Sequence, residues 1–248
     1  MEINLSALRA EARQSLRGRH PSAFLVSLAF YLILMLLAFL SQRIMMTAMH
    51  FPEIMALSER MLNATTQAEQ LEIVDALAGL SDGWERAGEY ILMAIRIMNA
   101  MLTMGFMSYC LGLLRGEDGS VGSIFDAFGN FFRFLGLNIL TYLITSALTI
   151  LLIIPGIVMS YAYAMAPYLL MDDPRKGPIE CMRESRSRMR GYKGKLFLLD
   201  LSMIGWILLS VLPGAGVYTL PYYYCARANF YRAVTGQADA PHHVDISV

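Results

Sequence analysis

Long apolar runs broken by Pro-Gly pairs constrain this chain more than any other feature. A helix rises 1.5 Å per residue, so roughly 17 to 25 apolar residues cross about 30 Å of hydrocarbon. Pro155-Gly156 separates two such runs whose combined length is too great for one crossing, which predicts a turn between two spans. A second turn is predicted at residues 213–216, Pro-Gly-Ala-Gly. Six transmembrane helices are therefore predicted, at 22–41, 90–114, 134–154, 157–171, 196–212 and 217–230.

The composition agrees with a membrane protein and argues against several other classes. Hydrophobic residues make up 56% of the 248 residues and charged residues 16%, whereas a soluble domain averages about a quarter charged. The formal net charge is zero, so nothing favours nucleic acid as a partner. The three cysteines form no CxxC pair, and the four histidines form no HExxH motif. We expect no cofactor and no metal, and we expect that the protein is not an enzyme.

The distribution of Lys and Arg predicts the orientation. Sixteen of them flank the spans on the side of the two termini, against three in the segment 42–89, which carries eight acids. Basic flanking segments stay in the cytoplasm, so both termini are predicted to be cytoplasmic. One membrane domain, 1–248, is then predicted to contain four non-spanning segments. These are a cytoplasmic amphipathic helix at 1–20, an acidic extracytoplasmic helical loop at 42–89, a basic cytoplasmic helix at 172–195 and a cytoplasmic tail at 232–248.

Three parts of the chain, about 4–114, 121–171 and 178–231, resemble one another. Each has a cytoplasmic amphipathic helix, a span, an outer turn and a returning span. The best match places residues 11–25, EARQSLRGRHPSAFL, over residues 184–198, ESRSRMRGYKGKLFL. Duplication would predict three repeats around a pseudo-threefold axis along the membrane normal. The alternative is that juxtamembrane helices share Arg, Gly and Leu by composition alone.

Cations follow one face of the first and third cytoplasmic helices, opposite an apolar face. In the third helix the apolar face is predicted to hold Ile179, Met182 and Met189. This pattern is typical of a helix in the interface of an anionic leaflet. The alternative is that the cations only keep these helices on the cytoplasmic side, while the helices support the transmembrane bundle. The candidate contacts for anionic headgroups are Arg9, Arg13, Arg17, Arg183, Arg186, Arg190 and Lys193.

One polar residue lies about one turn inside the first span of each segment: Ser27, Asn138 and Asp200. Polar side chains within a membrane usually face the bundle or a cavity, so the three could form one polar level along a route for a solute or ion. The alternative for Asp200 is an ion pair with Lys195, Arg190 or Arg227, which lowers the cost of a shallow carboxylate.

The sequence motifs after residue 150 resemble the bacterial domain-of-unknown-function family 975. They are Pro155-Gly156, Asp172 to Pro174, Ser185 with Met189 and Gly191, the run FLLDLSMIGW at 197–206, Pro221-Tyr222 and Phe230-Tyr231. The resemblance is dense over about 150–232 and loose at the first helix. It implies a helical protein of the bacterial inner membrane and adds no mechanism.

The sequence therefore predicts a multi-pass protein of the bacterial inner membrane, most simply a non-enzymatic module that binds lipids or a partner. Its predicted partners are anionic headgroups on the cytoplasmic side, and a membrane protein or a second copy of the chain. The alternative function is a channel or transporter that uses Ser27, Asn138 and Asp200, which solute flux in an Asp200→Leu variant would test. A membrane enzyme that acts on lipids ranks third.

Overall fold

The fold is helical. The computed structural model describes residues 3–17, 22–48, 51–79, 84–117, 119–210, 212 and 214–237, and all regular elements in these ranges are helices. This confirms the all-α prediction. The α-helices are α1 Leu5–Arg17, α2 Ser22–Ala48, α3 Phe51–Asn63, α4 Gln67–Gly79, α5 Trp84–Arg115, α6 Phe131–Leu151, α7 Ile153–Tyr163, α8 Ala166–Asp172, α9 Pro178–Arg188, α10 Lys193–Leu209 and α11 Gly216–Thr235. A 3₁₀ helix, Val121–Asn130, precedes α6.

The chain divides into two compact units. The first contains Met1–Tyr31 and Ala100–Val248, and the second contains Leu32–Asn99. Helices α2 and α5 each contribute to both units.

In the second unit, α3 and α4 form a helical hairpin inside the predicted acidic segment. A capping box begins α4: the Glu69 backbone N–H donates to Thr66 Oγ1 at 3.3 Å, and the Thr66 N–H donates to the Glu69 carboxylate at 3.2 Å. The Thr66 N–H is also the main reason that the pKa of Glu69 lies below its usual value. Ile73 is buried on α4, whereas Leu71 and Val74 are exposed.

The core of the first unit is aromatic. Phe30 of α2 stacks on Phe106 of α5 with 4.0 Å between ring centroids, and Tyr224 of α11 meets the Phe106 ring edge-on at 5.7 Å. Both Phe side chains are fully buried. Cys110 and Cys225 are also fully buried in this unit and lie close to each other. Helices α2, α5 and α11 therefore meet through large side chains.

The break between the third and fourth apolar runs lies slightly before the predicted turn. Helix α6 ends at Leu151, Leu152 is extended with φ −154°, and Pro155 already stands in the first turn of α7. Proline suits a first helical turn because its missing N–H would have no partner there. Gly156 allows the hairpin to close, since a Cβ added there would lie 2.7 Å from Thr149 Cα.

The predicted basic helix at 172–195 and the tail from 232 differ from the observed elements. Within 172–195 the continuous helix covers only Pro178–Arg188, and α10 begins at Lys193. The region from 232 to 235 is the last turn of α11, which ends at Gly236 with φ +76°. Residues 1–2, 18–20 and 238–248 of the predicted terminal segments lie outside the described residues.

Four helical stretches of the described residues are long and apolar enough to cross a membrane. They are Ala23–Thr47, Gly88–Arg115, Val121–Leu151 and Ile153–Asp172. The predicted fifth and sixth spans correspond to α10 and α11, and neither helix is among these four stretches. Helix α10 has 17 residues, and α11 carries Arg227 and Arg232. The structure thus supports several membrane spans and does not confirm six.

Candidate functional site

The structure places Ser27, Asn138 and Asp200 in separate surroundings. The buried Ser27 hydroxyl donates to the Ala23 carbonyl of its own helix at 2.7 Å. The Asn138 amide donates to Met104 Sδ at 3.4 Å. Asp200 lies beside Arg227, with 3.7 Å between Oδ1 and Nε. The contacts described for these residues do not bring the three side chains together, and a shared polar level stays a prediction.

Asp200 belongs to a polar cluster between α10 and α11. Its ion-pair partner, Arg227, is one of the three cations that the sequence offered. The Arg227 guanidinium donates to the Tyr223 hydroxyl at 2.9 Å and lies 5.5 Å from the centroid of that ring. Arg227 thus offsets the negative charge of Asp200 within the protein, as expected for a carboxylate near an apolar environment.

A second polar cluster joins the ends of α5, α8 and α11. Asp172, the first residue of the Asp-x-Pro motif, pairs with Arg115 at 2.7 Å and accepts a hydrogen bond from the Tyr231 hydroxyl. Gln237 donates to the same carboxylate at 3.1 Å. The side chain of Asp172 is 19% exposed. The motif therefore has a structural explanation, since one carboxylate ties three helix ends together.

Helix α1 packs along α11 through its predicted apolar face. Leu8 and Ala12 are buried, and the amide of the buried Asn229 donates to the Leu8 carbonyl at 3.2 Å. The Glu11 carboxylate accepts from Asn229 at 2.7 Å and from Arg232 at 2.9 Å. Arg232 itself is only 3% exposed. We call this contact of Glu11, Asn229 and Arg232 the terminal clamp.

The cations of α1 lie on the outside of this contact. Arg13 is exposed, and its guanidinium lies 5.7 Å from the centroid of the Tyr222 ring of α11. Arg9 is half-buried, and its Nε donates to the Leu5 carbonyl at 3.3 Å. The side chain of Arg17 lies outside the described residues.

Helix α9 shows the same division between a buried apolar face and an exposed basic face. Met182 and Met189 are buried, and the Ser185 hydroxyl donates to the Ala162 carbonyl at 2.8 Å. Ile179, predicted to share the apolar face, is 63% exposed, so that part of the prediction is wrong; the buried residues of α9 are Cys181, Met182 and Ser185. On the other face Arg183 and Arg186 are exposed. Arg190, in the turn after α9, is also exposed, and Lys193 at the start of α10 is half-buried.

Glu184 partly offsets the positive charge of α9. Its carboxylate pairs with Lys176 at 2.7 Å and with Arg188 at 2.8 Å. The hydrogen bond with Lys176 holds the pKa of Glu184 below its usual value and raises the pKa of Lys176. Arg183, Arg186 and Arg190 lie outside this pairing.

A cavity of about 300 Å³ opens between α1, α2, α10 and α11, in the first unit. Arg13 is at its edge, and Ser27 is in its wall. Most of the remaining lining is apolar or aromatic, including Phe24, Trp206 and Tyr218. Arg13 and Ser27 were singled out from the sequence, but the cavity that they share depends on how α1 packs against α11. No group of three His, Cys, Asp or Glu residues suited to a metal ion occurs among the described residues.

Comparison with known proteins finds one family match. Residues 137–238 match the model of a family described as Protein of unknown function (DUF975). No curated protein and no solved structure matches the chain. The matched region runs from within α6 to just beyond α11. It contains Asp172 and its partners Tyr231 and Gln237, helix α9 and the Asp200–Arg227 pair, whereas Arg115 lies before it. The match over residues 137–238 supports the resemblance to this family that the sequence motifs indicate.

Proposed function

We propose that this protein is a non-enzymatic, multi-pass protein of a bacterial inner membrane that binds anionic lipid headgroups at the cytoplasmic face. The observation that carries the proposal is the arrangement of α1 and α9. Both helices bury their apolar faces within the protein and turn arginines outward. Arg183 and Arg186 are exposed on α9, and Arg190 is exposed in the turn that follows it.

The proposed topology has six spans and both termini in the cytoplasm. The 17 residues of α10 are at the lower limit for a crossing. Exposed apolar side chains on this helix, such as Leu201, Ile204 and Leu208, suit a lipid-facing surface. The polar groups of α11 have protein partners: Arg227 pairs with Asp200, and Arg232 pairs with Glu11. A polar side chain with such a partner is compatible with a helix in the membrane.

The threefold repeat is also part of the proposal. The same order, a short helix followed by two long helical segments, occurs over α1–α5, over the 3₁₀ helix to α8, and over α9–α11, with α3 and α4 as an insertion in the first. The similar Tyr-Cys pairs of α5 and α11 contain Cys110 and Cys225, which are both fully buried and lie close to each other. A contact between matching residues is what packing around a pseudo-symmetry axis would produce.

A single introduced cysteine tests the orientation. In a background without the three native cysteines, Ala76→Cys on α4 is expected to react with a membrane-impermeant maleimide added to intact spheroplasts. The matched control, Ser187→Cys on α9, is expected to react only after permeabilisation. Both positions are exposed, so access should depend on the side of the membrane. Labelling of Ser187→Cys alone in intact spheroplasts would overturn the proposed topology.

The lipid contact should be electrostatic, because the apolar faces of α1 and α9 are occupied by the protein. Each Lys or Arg near an anionic leaflet contributes about 1 kcal/mol, and salt screens this attraction. A triple variant, Arg183→Gln with Arg186→Gln and Arg190→Gln, is therefore expected to lose most of the enrichment of anionic over neutral lipid in polymer-extracted nanodiscs. Mass spectrometry of the co-extracted lipids, compared with lipids of the whole membrane, measures that ratio.

The matched control removes two cations from the acidic second unit, by Arg43→Gln and Arg60→Gln. It is expected to leave the lipid ratio of the native protein unchanged. If the triple variant also leaves the ratio unchanged, or if the native protein shows no enrichment, the headgroup proposal is wrong.

A further inference from the structure

The cavity beside α1 combines one cation with a wall that offers few other polar contacts. Arg13 is at its edge, and Phe24, Trp206, Tyr218 and Tyr222 line it. Ser27 adds little polarity, because its hydroxyl already donates to the Ala23 carbonyl at 2.7 Å. Such a cavity suits a ligand with a long apolar part and a negative end.

We propose that this cavity is a stoichiometric binding site for a single anionic amphiphile. Its alkyl chain would lie among Phe24, Trp206 and Tyr218, and its anionic head would lie beside Arg13. The shared chemistry is an alkyl chain that ends in one negative group, as in a fatty acid or one chain of an anionic phospholipid. This site differs from the electrostatic surface of α9 and can exist even if that surface binds nothing.

The charge of Arg13 is available to a ligand because nearby groups are engaged elsewhere. Glu11, two residues earlier, points its carboxylate at Asn229 and Arg232. The contact described for the Arg13 guanidinium is with the face of the Tyr222 ring at 5.7 Å. A guanidinium on an aromatic face keeps its in-plane N–H donors free for a carboxylate or phosphate.

The size of the cavity limits the ligand. A volume of about 300 Å³ is at the small end of the range for ligand pockets. It favours one alkyl chain over two. The wall is also held in place: Phe24 lies 5.7 Å from Tyr218, and Trp206 meets the Tyr222 ring edge-on at 5.4 Å between centroids.

The fluorescence of Trp206, which lines the cavity, can report ligand binding. The chain has two tryptophans, so Trp84→Phe leaves Trp206 as the single fluorophore. A dibrominated fatty acid added to this variant in neutral detergent is expected to quench Trp206 fluorescence with a saturable curve. The corresponding brominated alcohol, which lacks the charge, is expected to bind at least about tenfold more weakly, since a hydrogen bond to a charged group contributes about that factor.

Two substitutions in the same background separate a site from general partitioning. Arg13→Gln is expected to weaken fatty-acid binding about tenfold, whereas Arg175→Gln, at an exposed position away from the cavity lining, leaves it unchanged. Val217→Phe should block binding by filling the cavity, since Val217 lines it. Melting temperatures establish that each variant is folded.

A reporter outside the cavity shows what unspecific quenching looks like. Leu208→Trp, combined with Trp84→Phe and Trp206→Phe, places the fluorophore at a position that is 66% exposed. It should be quenched linearly by acid and alcohol alike. Repeating the titration with a brominated anionic phospholipid distinguishes the sources: saturation supports a membrane lipid as ligand, and its absence beside a saturable fatty acid supports a free amphiphile.

Three results would overturn the site. They are equal quenching of Trp206 by the acid and the alcohol, linear quenching like that at the outside reporter, and binding that survives both Arg13→Gln and Val217→Phe in folded protein.

Discussion

Replacing Glu11 with alanine is expected to destabilise the protein by about 3 kcal/mol, because it leaves Arg232 charged and buried without its carboxylate. The side chain of Arg232 is 4% exposed, whereas that of Glu11 is 38% exposed. The partial exposure of Glu11 sets the estimate at the lower end for a broken buried pair. For a chain of this size the melting temperature should fall by about 6–12 °C. A thermal melt of the detergent-solubilised protein, followed by size-exclusion chromatography, measures this.

The double variant Glu11→Ala with Arg232→Met identifies the cause. If the cost comes from an uncompensated charge, removing that charge should recover much of the lost stability. A double variant that is less stable than Glu11→Ala alone would contradict this explanation.

Glu184→Ala is the matched control, since Glu184 aligns with Glu11 in the sequence repeat. Its partners Lys176 and Arg188 are 27% and 39% exposed, so the cost should stay below about 1 kcal/mol. Equal losses for Glu11→Ala and Glu184→Ala would show that burial of Arg232 is not decisive.

Gly105→Ala is expected to cost about 3 kcal/mol, at the upper end for overpacking a core. A Cβ added to Gly105 of α5 would collide with the Ile124 carbonyl group and lie 2.5 Å from its carbon. Ile124 belongs to the 3₁₀ helix and is fully buried. The obstacle is backbone, so a side-chain rotation cannot relieve the contact, and the 3₁₀ helix must move away from α5.

Gly205→Ala in α10 is the control for this substitution. No heavy atom lies within 4 Å of the added Cβ, so the change should stabilise the helix by about 0.5–1 kcal/mol. Thermal melts of both variants and of the native protein measure these changes in stability. A melting temperature of Gly105→Ala equal to that of the native protein would show that the 3₁₀ helix yields easily.

The sequence predicted the helical class and the approximate positions of the apolar helices, because those depend on local composition. It placed the break between the third and fourth apolar runs at Pro155-Gly156, although the helix is interrupted earlier, at the extended residue Leu152. A proline reliably indicates that a helix starts nearby, but it does not indicate the residue at which the previous helix ends. The shortness of α9 was also missed, since a run of Arg and Ser extends the basic pattern through the turn that precedes α10.

Long-range partners could not be predicted in the same way. Asn229 and Arg232 lie 218 and 221 residues from Glu11, and a single sequence gives no register for such contacts. Asp200 was partly predictable because few cations lie at its depth, and Arg227 was among them. The cavity was not predictable, since the residues that line it come from four helices.

The terminal clamp has a consequence for the order of biosynthesis. Glu11 is synthesised 221 residues before Arg232, so α1 cannot make this contact until α2 to α10 have been synthesised. Until α11 follows, the surface of α1 that holds Leu8 and Ala12 lacks the helix that covers it.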